Sequence, residues 1–296
     1  MKELVVISGK GGTGKTSVVA SFAALARDKV LADCDVDAAD LHLVMSPKIV
    51  HREDFVGGKS AAIATDRCAG CGKCASVCRF DAVSFDGPAN DVVEKTYRID
   101  PIACEGCGVC AYFCPAEAVD FSPSINGEWF ISETRHGPMV HAKLGIAEEN
   151  SGKLVTAIRR EAKRIAEDNG LGLVIIDGSP GIGCPVIASI TGASMVLIVT
   201  EPTLSGLHDL DRVADLAGHF SIPTAVCVNK SDINSEMTAR IRQHCLARNL
   251  DFLGEVHYDT AVTRAQIEGK SVIEYDKGSA ASDLRLLWEA VTHRLA

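Results

Sequence analysis

Twelve cysteines stand in a chain of 296 residues, and eight of them fall between Cys68 and Cys114. Cys68, Cys71 and Cys74 are each separated by two residues, and Cys78 follows after three more. Cys104, Cys107, Cys110 and Cys114 repeat that spacing, and Pro115 comes next. Three thiolates so spaced on a tight turn wrap one corner of a cubane cluster, while the fourth lies too far along and ligates the other cluster. The expectation is two [4Fe–4S] sites with crossed ligands, one from Cys68, Cys71, Cys74 and Cys114, the other from Cys104, Cys107, Cys110 and Cys78. Glycines at 70, 72, 106 and 108 suit a close backbone approach to sulfur. Structural zinc also uses Cys-x2-Cys pairs, but zinc ribbons normally part the pairs by a longer loop.

A second chemistry is written at the other end of the chain. Gly9-Lys10-Gly11-Gly12-Thr13-Gly14-Lys15-Thr16 follows the apolar run ELVVIS and opens a helical pattern. Backbone N–H groups in such a glycine-rich turn and at a helix start cradle phosphate oxygens. Gly11, Gly12, Thr13, Gly14, Lys15, Thr16 and Ser17 are the expected nucleotide contacts. Lys15 would neutralise the β/γ-phosphates and the Thr16 hydroxyl would ligate Mg²⁺.

The elements that must position these groups read as two kinds of chain. Strands at 3–8, 29–32, 172–177, 194–199, 223–228 and 252–256 are short apolar runs. Helical patterns lie at 16–27, 153–168, 203–217, 235–248, 261–269 and 280–295, with Asn150 and Ser151 placed to cap the second of these. This alternation predicts an α/β fold with a mostly parallel sheet covered on both faces. The middle breaks the rhythm: residues 66–85 and 102–121 are an internal repeat, the mark of a pseudo-symmetric unit. The expected organisation is 1–59 as the first part of the nucleotide-binding α/β domain, 60–125 as an inserted small α+β domain, and 126–296 as the second part. The flanks MSPKIVHREDFVGGKS and SPSINGEW read as connectors, and EWFISETRHGPMVHAKLG as two strands that resume the main sheet. His136 and His141 in that stretch read as structural or partner-facing.

Composition narrows the classes. A net charge of −9 without a dense Lys/Arg block argues against nucleic acid as the main partner. No apolar run approaches the ~20 residues that span a bilayer. MKELVVISGK lacks the form of a secretion signal, so the expected location is cytoplasmic, with no stable membrane anchor; the amphipathic segment at 280–295 more simply completes the fold.

The eight-cysteine repeat resembles bacterial-type two-cluster ferredoxins over about 60 residues. It departs from them at Arg79, where the first half would carry proline. Lys10-Gly11-Gly12-Thr13-Gly14-Lys15-Thr16 resembles the deviant Walker A motif of the MinD/nitrogenase-iron-protein/ArsA superfamily. The resemblance implies that Lys10 reaches across a nucleotide-closed homodimer to the partner's phosphates; taken alone, Lys10 reads equally as a solvated surface lysine. It also implies that Asp35, in Asp33-Cys34-Asp35-Val36-Asp37, positions the attacking water. Asp33, Asp37 and Asp40 are unranked beside it, and a helix N-cap and first turn look much the same. Asp177, in VIIDGSPGIG, matches the aspartate that orients Mg²⁺, and 178–183 match the second switch. Asn229-Lys230-Ser231-Asp232 has the N-K-x-D form that reads guanine in many GTPases, whereas in the MinD-like group the asparagine contacts adenine; the phosphate loop favours ATP.

Cys184 stands seven residues after Asp177, the spacing of a ligand to the inter-subunit cluster of the nitrogenase iron protein. That protein uses a second cysteine per subunit, and 121–183 contains none, so a small buried residue is the simpler expectation. Cys34, Cys227 and Cys245 read as core positions. The whole pattern resembles MinD-superfamily ATPases with an inserted ferredoxin domain. It implies an iron–sulfur ATPase in which ATP binding and hydrolysis at a homodimer interface gates electron transfer to a partner protein. A cluster or metal carrier is the alternative, and a MinD-like spatial regulator the third.

Overall fold

The computed structural model describes residues 1–145 and 152–296, and they form two compact units. The first takes in Met1–Glu53, Glu128–Leu144 and residues 152–296; the core of the second is Asp54–Gly127.

In the first unit the chain runs β1 (Lys2–Ser8), α1 (Lys15–Leu25), β2 (Lys29–Asp33), α2 (Leu41–Met45) and the start of β3 (Lys48–Ile63). In the second unit follow α3 (Lys73–Val77), β4 (Val83–Gly87), β5 (Thr96–Ile99), α4 (Val109–Tyr112) and the first part of β6 (Val119–Thr134). Back in the first unit come β7 (Gly137–Leu144), α5 (Lys153–Asp168), β8 (Leu173–Pro180), α6 (Cys184–Ile190) and β9 (Met195–Thr200). The chain ends with α7 (Leu204–His219), β10 (Thr224–Asn229), α8 (Ser235–Ala247), β11 (Asp251–Val256), α9 (Thr260–Ile267), α10 (Val272–Tyr275) and α11 (Ser279–Leu295).

Among the described residues the sheet has nine strands in the order β11-β10-β9-β1-β8-β2-β7-β6-β3. The pairs from β11 through to β7 are parallel. The cause is visible in the runs themselves: Leu4–Ile7, Val174–Ile176, Met195–Val199 and Ala225–Val228 are buried throughout. A strand apolar on both faces needs helices on both sides, and parallel crossovers supply them. Helix α5 shows how each cover is made: it buries Leu154, Val155, Ile158, Ala162, Ile165 and Ala166 on one face and packs on β2 and β7. Its expected caps, Asn150 and Ser151, lie outside the described residues.

The flanks of the cysteine segment correct the sequence reading. MSPKIVHREDFVGGKS is not a connector: from Lys48 on it is the 16-residue strand β3, at the edge of the sheet. SPSINGEW likewise lies inside β6, also 16 residues long, which neighbours β3 and β7. Most side chains of β3 are exposed, so the alternation that betrays a half-buried strand is absent. Both strands run from the first unit into the second.

His141, on β7, is 8% exposed and its Nε2 lies 2.8 Å from the Ser132 hydroxyl. Burial disfavours its charged form and pushes its pKa down to about 4, with a minor push from His42. The unfolded chain therefore takes up this proton first as the pH falls, and the stabilisation present above pH ~6.5 is lost towards pH ~4. In urea unfolding, the gap between wild type and His141→Gln should shift by about 2 kcal/mol against wild type from pH 7.5 to 4.5. Parallel pH dependence of the two proteins would sink this assignment.

Candidate functional site

The carboxyl ends of β1, β2, β8, β10 and β11 converge on a cleft of about 390 Å³, the place where open parallel sheets bind ligands. The loop between β1 and α1 forms its floor. Gly14 has φ +92°, and a Cβ there would stand 2.3 Å from Asn229 Nδ2. Glycine is required, and Asn229 uses the space to donate to the Thr13 carbonyl at 2.8 Å. Gly11, Gly12, Gly14, Lys15, Thr16 and Ser17 all line the cleft, as do Asp35, Asn229 and Lys230. Thr13 is buried beneath it, its hydroxyl without a partner.

Behind the loop sits a cluster of charge that the ligand-free fold does not balance. Lys15 Nζ donates to Asp35 Oδ2 at 2.9 Å, and both side chains are buried. Asp33 at the end of β2 and Asp177 within the adjacent β8 pair in register and are fully buried. Both oxygens of Asp177, Oδ2 of Asp33 and Oδ1 of Asp35 have no hydrogen-bond partner. Burial pushes the Asp177 carboxyl up to about 6 against the pull of Lys15. Burial, then the charges of Asp177 and Asp35, raise Asp33 further. Burial alone would lower Lys15, but Asp177 and Asp35 outweigh it and hold the ammonium charged. Three carboxylates around one lysine, with oxygens left over, leave charge and hydrogen-bonding capacity that the fold alone does not satisfy.

Lys10 lies apart from the cleft lining. Its Nζ is 3.3 Å from Glu201 Oε2 and donates to the Ser205 hydroxyl at 3.3 Å. Glu201 also accepts from Lys230 Nζ at 2.5 Å, and the two lysines hold its carboxyl below the usual range in spite of burial. Glu201 carries no motif and is not found by sequence reasoning. Nor are Tyr258 and Gln266, which line the other wall after β11; Gln266 Nε2 donates to Ser17 Oγ at 3.0 Å. Asp232, the acidic member of N-K-x-D, accepts the Tyr258 backbone N–H at 2.6 Å.

The cysteines of the second unit gather into two sets. Cys68, Cys71, Cys74 and Cys114 line one small void, and Cys78, Cys104, Cys107 and Cys110 line another. The halves repeat in detail. Gly70 and Gly106 have φ +62° and +59°, and Gly72 and Gly108 cap α3 and α4 in left-handed conformation. A Cβ on Gly106 would stand 2.0 Å from the Lys59 carbonyl oxygen, so no other residue fits. The Ala118 N–H donates to Cys114 Sγ at 3.3 Å. Asn90 ties the first set down, donating to the carbonyls of Thr65 and Cys68 and accepting from the N–H groups of Val92 and Val93. Among the described residues no group of three or more His, Cys, Asp or Glu is arranged to hold a metal ion.

The remaining cysteines divide. Cys34, Cys227 and Cys245 are fully buried. Cys184 is exposed at the first position of α6, which corrects its reading as a small buried residue: the glycine-rich stretch before it leaves nothing to cover the helix start. His136 lies against Glu274, its Nε2 3.0 Å away.

A glycine-rich loop between the first strand and first helix of a parallel sheet, with a lysine and buried strand-end aspartates, defines a P-loop nucleotide-binding protein. The profile of the CobQ/CobB/MinD/ParA nucleotide binding domain matches residues 4–272, and the chain belongs to this family of ATPases. The uncharacterized protein MJ0578 of Methanocaldococcus jannaschii is 35% identical over 243 residues, 79% of this chain and 79% of its own length. MJ0579 of the same organism is 24% identical over 282 residues, 93% of this chain and 94% of its own. The septum site-determining protein MinD of Pyrococcus horikoshii OT3, complexed with Mg-ADP, shares the fold at TM-score 0.57 and 16% identity, covering 100% of this chain and 98% of its own. Among the described residues no helix is long and apolar enough to cross a membrane.

Proposed function

We propose that this chain is an ATPase whose nucleotide cycle is tied to two [4Fe–4S] clusters in its second unit, passing electrons to a partner protein. The observation that carries the reading is the pair of voids, each lined by the three closely spaced cysteines of one repeat and the last cysteine of the other. Thiolates around a cubane stand further apart than thiolates around one zinc ion, whose Zn–S bonds are ~2.3 Å. Four sulfurs ranged round each void are the number that a cubane needs. When bound, the clusters would supply sites that accept and give one electron each.

The nucleotide half is supported by the family and by the donor set. Mg-ADP is what the similar MinD of P. horikoshii holds. Asp232 already takes the Tyr258 N–H, which favours adenine over guanine, since a guanine-reading aspartate needs its oxygens for the base. Mg²⁺, held by the Thr16 hydroxyl and oriented from Asp177, would offset phosphate charge. Lys15 neutralises the transferring phosphoryl group, and Asp35, released from Lys15 by phosphate, holds the attacking water.

Closure of two copies over nucleotide would draw Lys10 to the partner's phosphates, and Glu201 competes for the same ammonium. Glu201→Gln removes that competing charge. Exposed ion pairs contribute about 0–1 kcal/mol, so dimerisation with ATP should tighten about two- to fivefold in sedimentation velocity. Unchanged or weaker dimerisation would show that Lys10 has no such role.

Anaerobic reconstitution tests the whole. Iron and sulfide should be retained at about eight each per chain, with an EPR signal on reduction and a midpoint potential that moves on adding ATP. Failure to retain iron, with zinc bound instead, would falsify the cluster reading. Iron passing to an apo-protein under ATP, with potentials unmoved, would favour a carrier. The likeness of fold to MinD favours a third reading, a spatial regulator; it requires the protein's function in cells to survive loss of all eight cysteines.

A further inference from the structure

Arg135 makes up half of the two-residue turn between β6 and β7 and does not line the nucleotide cleft. Its guanidinium is nonetheless engaged through Nε and both amino nitrogens. One amino nitrogen donates to the Met45 carbonyl at 3.1 Å. The other serves the Val44 carbonyl at 2.8 Å, the Gly269 carbonyl at 2.9 Å and Glu274 Oε2 at 3.0 Å, while Nε donates to Glu274 Oε1 at 2.6 Å. Glu274 is fixed in turn: its carboxylate accepts from the N–H and hydroxyl of Ser271, closing a capping box on α10.

The partners come from both walls of the cleft. Asp35, Ala38 and Asp40 line one wall, and the chain passes from Asp40 directly into α2, whose last two carbonyls, Val44 and Met45, Arg135 holds. Val262, Thr263 and Gln266 of α9 line the other, and Gly269 follows two residues after that helix ends. The third connection is to the strands that lead into the second unit. Arg135 immediately follows β6, and β3 starts three residues after Met45. One side chain thus ties the turn after β6 to the residues just before β3 and to the outer ends of both cleft walls.

We propose that Arg135 is a positioning residue that couples the cleft to β3 and β6, so that nucleotide-driven displacement of either wall is passed to the two strands entering the second unit. A fork of this kind, reaching three carbonyls and a carboxylate, needs a guanidinium; a lysine ammonium offers one point and cannot span four acceptors. The inference rests on nucleotide binding in the cleft, not on the presence of clusters.

Hydrogen–deuterium exchange of the full-length protein tests it without a cluster-dependent signal. In wild type, Mg-ATP should change exchange at residues 48–63 and 119–134 as well as around the phosphate loop. In Arg135→Lys, ATP affinity should stay within about threefold while the response of the two strands falls by at least half. Glu274→Gln, which keeps the capping box but removes the charge, should give an intermediate loss and serves if the first variant does not fold. Strands that do not respond in wild type, or that respond equally in the variants, would overturn the proposal. Loss of iron from protein that still shows the coupled response would count against the cluster reading alone.

Discussion

Asp177→Asn is expected to make the ligand-free protein more stable and nearly inactive. The wild-type carboxylate is fully buried, lacks a hydrogen-bond partner on either oxygen and faces Asp33 across the strand pair. Burial raises its pKa to about 6, with Lys15 opposing. At neutral pH the fold therefore holds a charge that it disfavours, and removing it should add about 2 kcal/mol. An asparagine keeps the shape, and its amide can donate to Asp33. In a chain of this size that corresponds to a rise of several degrees in Tm. The same change deprives Mg²⁺ of the carboxylate that orients it, so ATP turnover should fall by at least ~10²-fold. The increase in Tm caused by Mg-ATP should shrink with it, because the ligand no longer relieves buried charge. A variant less stable than wild type without ligand, or one with intact Mg-dependent turnover, would refute this account of the site.

That frustrated cluster marks the line between what the sequence shows and what only the fold shows. The phosphate loop, each apolar strand and each four-cysteine half of the repeat are local patterns: each sits within a dozen residues and its residue types admit few other structures. The strands β1, β8, β9 and β10 are legible because each carries an unbroken apolar run that is buried throughout. β3 is illegible for the opposite reason, an edge strand exposed along most of its length with two glycines inside it. Among the acidic residues of 33–40, the resemblance singles out Asp35 but leaves Asp33 without a role. The fold gives each a place, pairing Asp33 with Asp177 across the sheet and Asp35 with Lys15. Glu201 and Arg135 are single polar residues whose partners arrive from a distance, in the case of Arg135 and Glu274 from 139 positions away. No window on the sequence contains both halves of such an interaction.

The cysteine sets yield the sharpest expectation because the crossing makes it non-local. Cys114 belongs by sequence to the second repeat but lines the void of the first, and Cys78 does the reverse. Cys114→Ser should therefore abolish the cluster held by Cys68, Cys71 and Cys74 and spare the other, cutting bound iron from about eight to about four per chain. Cys68→Ser combined with Cys114→Ser should lose no more iron than either alone, although the two residues are 46 positions apart. Cys78→Ser with Cys114→Ser should lose both clusters, although all the remaining cysteines are intact. If each repeat instead formed its own centre, the pattern would invert: Cys68→Ser with Cys78→Ser would share one loss, and Cys68→Ser with Cys114→Ser would remove everything. Iron content and the EPR spectrum of the reduced variants decide between the two. The crossed result also has a structural consequence. Each cluster then bridges α3 and α4, which pack together, so losing either one loosens both halves of the unit. Proteolysis at Asp54–Gly127 should accelerate in every single variant, and most in Cys78→Ser with Cys114→Ser.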